Sequence, residues 1–295
     1  MDSYSLPRRI WRIIYPVLIF FGIQVVVGLF GGIILAFYFI FTSIISGAAQ
    51  FDVAMLLDNV TRYITSNIIV VVLITNVASF AVFLPIWLST RKRLEPYENK
   101  LTVVVGILVF GFFAGYNIIQ MVIFGVLDVE RFFPSYSEIE DVVTSGSLAM
   151  QILSVGLAAP VVEELVFRGI LMNRMKWLPA WASVLIQAMI FGAIHMNWFQ
   201  SLYAFLAGIL LGLVYMKYRS ITIAITGHIA FNMASVVLGE FLTEDNALVV
   251  LIICPVVMVA CGTLLIARPG ARKKAAALPD NVPAPWQLPE RADPY

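Results

Sequence analysis

Residues 147–171 read SLAMQILSVGLAAPVVEELVFRGIL. The stretch has the length and apolarity of a helix crossing a bilayer core of about 30 Å, yet it carries Glu163, Glu164 and Arg168. Charges buried in hydrocarbon cost several kcal/mol each unless they are paired or solvated, so their default reading is functional. Pro160 cannot donate to the Gly156 carbonyl, and its ring crowds that oxygen. The sequence therefore predicts a kink with a freed carbonyl just before the two glutamates. Glu164 and Arg168 are i and i+4 with the acid first, the favourable order for an ion pair. Glu163 and Arg168 diverge by roughly 140° around a helix. The spacing predicts a division of labour: Glu164 pairs with Arg168, and Glu163 is left for acid–base chemistry.

The rest of the chain has the same character. It is 61% hydrophobic, with a mean hydropathy of +0.92 and 13% charged residues, where a soluble domain carries about 25%. Seven further apolar segments can be drawn, roughly 14–45, 67–88, 101–127, 181–198, 202–218, 221–238 and 247–267. The predicted fold class is all-α, a polytopic transmembrane bundle of about eight spans. Residues 1–146 would hold three spans and their connectors. Residues 147–238 would hold the helices bearing the chemistry, 239–267 the last span, and 268–295 a disordered tail rich in Pro and Ala.

Basic residues alternate between connectors. Arg8, Arg9 and Arg12 precede the first span, Arg91, Lys92, Arg93 and Lys100 follow the second, Arg174 and Lys176 the fourth, Lys217 and Arg219 the sixth, and Arg268, Arg272, Lys273 and Lys274 the eighth. The other connectors hold only Arg62 and Arg131 among bases, with Asp52, Asp58, Asp128, Glu130, Glu138, Glu140, Asp141, Glu240, Glu244 and Asp245. The positive-inside rule then puts both termini in the cytoplasm. The first apolar run is too long for a cleaved signal peptide and reads as a retained span. Cys254 and Cys261 lie seven residues apart on one helix, ~10.5 Å by helical rise, too far for a disulfide. Gly28 and Gly32, Gly111 and Gly115, and Gly208 and Gly212 form small-residue pairs suited to close helix packing within the bundle. No soluble domain, long-period repeat or nucleotide-binding loop is visible, and no nucleic-acid partner is expected.

Both histidines of the chain lie in apolar segments. His195 closes Phe191-Gly-Ala-Ile-His195, and His228 opens His228-Ile-Ala-Phe-Asn232. His228 and Asn232 share a helix face, and two donors on one face suit a developing oxyanion. Glu163 and His195 together can hold and deprotonate a water. Gly192 and Gly227 are expected to leave room for substrate or backbone. By helical rise Glu163 lies about 24 Å from the outer start of its span and His228 about 10 Å from the cytoplasmic start of its own. Both depths suggest a cavity open to the cytoplasm. A straight fifth helix would carry His195 ~21 Å inward; a strong tilt or an irregular connector at 197–201 would reconcile it.

Glu-Glu-x-x-x-Arg, Phe-x-x-x-His and His-x-x-x-Asn, in that order on separate apolar segments, resemble the CPBP family. That family comprises type II CAAX prenyl endopeptidases, bacteriocin-processing and immunity proteins and related intramembrane proteases. The resemblance covers roughly 147–238. It implies Glu163 and His195 as the water-activating pair and His228 and Asn232 as oxyanion stabilisers, with Glu164 and Arg168 completing the first motif. It also implies an intramembrane endopeptidase in the membrane of a prokaryotic cell, with a lipidated or unlipidated peptide or protein as substrate and membrane lipid around it. Two His and a Glu are also a donor set for zinc. The chain lacks His-Glu-x-x-His, and Asn is a poor zinc ligand, so the reading favours no tightly bound metal. Two rivals stand beside it: an ion-coupled transporter using buried Glu, His and Arg, which should show inverted repeats that are not seen, and a non-catalytic adapter of the same fold.

Overall fold

A computed structural model describes residues 5–46, 53–91, 97–98, 103–238, 244–270 and 272–273. Among the described residues ten helices follow one another: α1 (Leu6–Ile45), α2 (Val53–Arg91), α3 (Val103–Val126), α4 (Val129–Phe132), α5 (Ser135–Thr144), α6 (Leu148–Arg174), α7 (Ala180–Ala193), α8 (Trp198–Tyr218), α9 (Ile221–Met233, continued by π-helical turns over Ala234–Leu238) and α10 (Glu244–Ala267). Each of the eight apolar segments contains a helix. Six, α1, α2, α3, α6, α8 and α10, are long and apolar enough to cross a membrane; α7 and α9 are apolar but shorter. The fold is a helical membrane bundle. Most of the expected tail, residues 274–295, lies outside the described residues.

The first two helices overrun their apolar stretches. α1 has 40 residues and α2 has 39, close to 60 Å each by helical rise. Polar residues continue the α2 helix through local bonds: Asp58 pairs with Arg62 one turn on, and Thr61 and Ser66 donate to carbonyls four residues back at 2.8 Å. Helix starts are capped as the sequence allows. Ser147 and Ser220 accept from the third N–H of α6 and α9, and Asn197 accepts from Phe199 and Gln200 at 3.1 Å.

Glycines set the close contacts. A Cβ on Gly111 or Gly115 would meet Cys261 Sγ at 2.9 Å or the Cys254 carbonyl at 3.1 Å, so this pair seats α3 on α10. Gly208 and Gly212 seat α8 on α7 against Ala188 and Gln187. The pair Gly28 and Gly32 behaves differently, since nothing lies within 4 Å of either position. Of the two uses expected for Gly192 and Gly227, close approach or substrate, the packing shows close approach. They admit neighbouring helices rather than substrate, Gly192 facing the Ser201 carbonyl at 2.6 Å and Gly227 facing Phe113 at 2.7 Å. Gly192→Ala should therefore push α7 from α8 and cost about 1–3 kcal/mol as overpacking, read as a lower unfolding temperature in detergent.

Two apolar clusters flank the centre of the bundle. Phe20, Phe83, Val166, Phe167, Ile170, Leu171 and Phe191 join α1, α2, α6 and α7. Val105, Val109, Phe113, Leu211, Ala230 and Phe231 join α3, α8 and α9. Contacts between helix ends sort the connectors by face. Arg174 at the end of α6 donates to the Arg12 carbonyl at 2.7 Å and to the Tyr15 hydroxyl at 2.6 Å. At the end of α8, Lys217 and Tyr218 donate to the Ile266 and Leu265 carbonyls of α10 at 2.7 and 3.0 Å. A short antiparallel pairing of Tyr97–Glu98 with Arg272–Lys273 joins two more basic segments. At the other face, Asn197 donates to the Ser135 carbonyl at 3.0 Å, tying the α7–α8 turn to α5.

Candidate active site

The glutamates are presented by an α6 that is not a uniform α-helix. Its turns are π-helical over Ile152–Ala158 and Leu165–Leu171, with an α-helical stretch, Ala159–Glu164, between them. The freed carbonyl is one residue from where sequence reasoning puts it. In the wider helix the Ala159 N–H bonds to Ser154, five residues back, so the group that Pro160 cannot serve is the Val155 carbonyl. Asn232 Nδ2 donates to that oxygen at 2.8 Å. One missing N–H in α6 thus fixes the position of α9. Asn232 keeps a second amide hydrogen beyond this bond.

Glu164 and Arg168 are both fully buried and pair at 2.5 Å. Arg168 Nη2 also donates to the Gly208 carbonyl at 3.0 Å, and Gln187 Nε2 donates to the same oxygen at 2.7 Å. The oxygen of Glu164 that meets Arg168 lies 2.8 Å from His228 Nδ1. The pair therefore binds α6 to α8 and α9 at once. His228 Nε2 is turned to the other glutamate, 3.6 Å from Glu163 Oε2. Glu163 itself is not engaged by Arg168 and is partly exposed into a cavity.

His195 does not lie on a helix. α7 ends at Ala193, two residues before it, and a tight turn with Met196 at φ 56° leads into α8. α7 has 14 residues, about 21 Å by helical rise, the same depth as the sequence estimate, and the expected irregular connector at 197–201 is helical from Trp198 onward. His195 Nδ1 is 2.7 Å from the Phe191 carbonyl. A carbonyl only accepts, so Nδ1 carries the proton and Nε2 presents a lone pair. The Phe191 ring packs edge-on against His195, His228 and Phe167 at 5.1, 5.7 and 5.0 Å, with the Arg168 guanidinium over it at 5.1 Å.

Glu163, His195, His228 and Asn232 all line one cavity of about 510 Å³. Further polar lining comes from Asn117, Gln120, Asn197, Gln200 and Ser235, and its rim from Val142 and Val143 of α5. Its lining residues lie toward the end of the bundle with the acidic connectors, whereas the sequence predicts a cavity open to the cytoplasm. A second cleft of about 330 Å³, lined by Phe20, Phe21, Gln24, Val25, Val72 and Asn76, reaches Glu163 and His195 from the α1–α2 side.

Among the described residues no three His, Cys, Asp or Glu side chains cluster as metal ligands. Glu164 Oε1 is already shared by Arg168 and His228.

Every residue nominated by the sequence meets at this place: Glu163, His195, His228 and Asn232 on the cavity wall, Glu164 and Arg168 directly behind it. The shared contact of Glu164 with His228, the Gly208 carbonyl and the role of Gln187 are not readable from the sequence, since they need helix pairing. Phe191 stands in the quoted motif, four residues before His195, and that spacing is its only signal. No curated protein and no solved structure gives a significant match. Residues 145–234, the segment that supplies α6 to α9, match the family model described as type II CAAX prenyl endopeptidase Rce1-like. The chain thus carries an Rce1-like domain, in keeping with the CPBP family.

Proposed function

We propose that this protein is an intramembrane endopeptidase that hydrolyses a peptide bond of a membrane-associated protein or peptide with a water activated by Glu163 and His195. At the level of the family, the Rce1-like domain supports a CAAX-type membrane protease. The observation that carries the mechanism is the convergence of Glu163, His195, His228 and Asn232 on one polar cavity inside an apolar bundle. A water between the Glu163 carboxylate and His195 Nε2 gives its proton to Glu163, and its oxygen attacks the scissile carbonyl. The oxyanion accepts hydrogen bonds from the second amide hydrogen of Asn232 and from the ring of His228, which Glu164 orients through Nδ1. Collapse breaks the C–N bond, and Glu163 returns its proton to the leaving amine.

Purified protein incubated with a library of membrane-anchored peptides should yield a new pair of termini by mass spectrometry. Ion flux through reconstituted protein without any cleavage would favour a transporter instead. Asn232→Ala should lower kcat by about 10²–10³ while KM changes little, since the charge it meets exists only near the transition state. An equal loss in KM would assign Asn232 to substrate binding.

A further inference from the structure

We infer that the cavity is reached from the non-cytoplasmic side, so that the substrate is an exported or outward-facing polypeptide whose scissile bond lies in the outer half of the membrane. The inference rests on the proposed proteolysis for its substrate, and on the geometry for its direction.

On each helix that lines the cavity, the lining residues run toward the end away from the basic connectors. Asn117 and Gln120 lie in the second half of α3, Gln200 in the first turn of α8, and Asn232 and Ser235 at the end of α9. Val142 and Val143 belong to α5, within the acidic connector itself. Toward the basic face the bundle is solid: Phe83, Phe167, Ile170, Leu171 and Met175 have no exposure at all. Hydrolysis needs water at Glu163, and among the described residues the polar walls of the cavity lead from Glu163 toward the acidic side. The basic connectors, Arg174 and Lys176 and Lys217 and Arg219 among them, mark the opposite face as cytoplasmic. The two observations are independent, one from packing and one from charge, and together they fix the direction of approach.

The consequence for substrate is specific. A C-terminus lipidated in the cytoplasm would present its bond to the closed face. A peptide or protein anchored by an apolar segment, with its polar chain outside, reaches the dyad directly. The apolar cleft beside Glu163 and His195, walled by Phe20, Phe21 and Val25, offers the anchor a berth on the lipid side.

The test is accessibility of single cysteines in the full chain, expressed in a bacterial host on a Cys254→Ala, Cys261→Ala background. Gln200→Cys and Val143→Cys report the cavity, Asp58→Cys the acidic face and Lys176→Cys the basic face. A membrane-impermeant charged maleimide should label Gln200→Cys, Val143→Cys and Asp58→Cys in spheroplasts, with labelling lost in sealed inside-out vesicles. Lys176→Cys should do the reverse. The inference is overturned if the cavity cysteines follow Lys176→Cys, if both stay unlabelled on either side, or if the two face controls exchange sides. Labelling requires no turnover, so a failure here is distinct from a failure to find proteolysis, which the peptide library reads separately.

Discussion

Glu164→Gln should lower the stability of the protein by about 3–5 kcal/mol, the usual cost of removing one partner from a buried ion pair. Arg168 would be left fully buried, with only the Gly208 carbonyl among its strong acceptors. The amide oxygen can still accept from both Arg168 and His228, as the single carboxylate oxygen does, so what is lost is the negative charge. Because these contacts join α6 to α8 and α9, loss should be felt across the bundle. Unfolding in detergent, followed by far-UV circular dichroism against denaturant, checks this. A variant as stable as the wild type would mean that the pair contributes little to holding the helices.

Glu163→Gln should show the opposite pattern. Its side chain faces the cavity and makes no pair with Arg168, so the unfolding midpoint should stay close to that of the wild type. Its kcat should fall by about 10²–10⁴, the usual contribution of a positioned acid–base group. His195→Ala should fall in the same range, since it removes the second acceptor for the water. Combining the two changes should cost less than the product of the single losses, because both act on one water. Equal destabilisation of the two glutamine variants would refute the division of labour between neighbouring glutamates.

That division is legible in the spacing of the residues. The i, i+4 relation of Glu164 to Arg168 is a property of any helix near 3.6 residues per turn, and it survives the π-helical turns around it. The eight apolar segments are likewise legible, because burial in lipid demands long apolar runs and continuous helical hydrogen bonding. What the residues alone do not reveal follows from terms that a sequence does not print. Helical spacing assigns the freed carbonyl to Gly156 rather than Val155 because a π-helical turn shifts each bond by one residue, and no residue type announces such a turn. The same spacing gives the depth of a residue along its own helix but not which residues of neighbouring helices share its cavity, so Asn117, Gln120 and Gln200 are not singled out by it. At Gly192 and Gly227 a missing Cβ is as consistent with space for substrate as with the approach of Phe205 or Phe113 from a neighbouring helix, and the packing selects the second.

The central claim is that Glu163, without a metal, activates the water that cuts a peptide bond. It is tested most directly by measuring cleavage of a membrane-anchored peptide by purified, exhaustively chelated protein, with Glu163→Gln alongside and metal content determined on the same samples. The chelated wild type should give undiminished product, and a folded Glu163→Gln almost none. Product that disappears on chelation and returns with zinc, or that persists in Glu163→Gln, would contradict it.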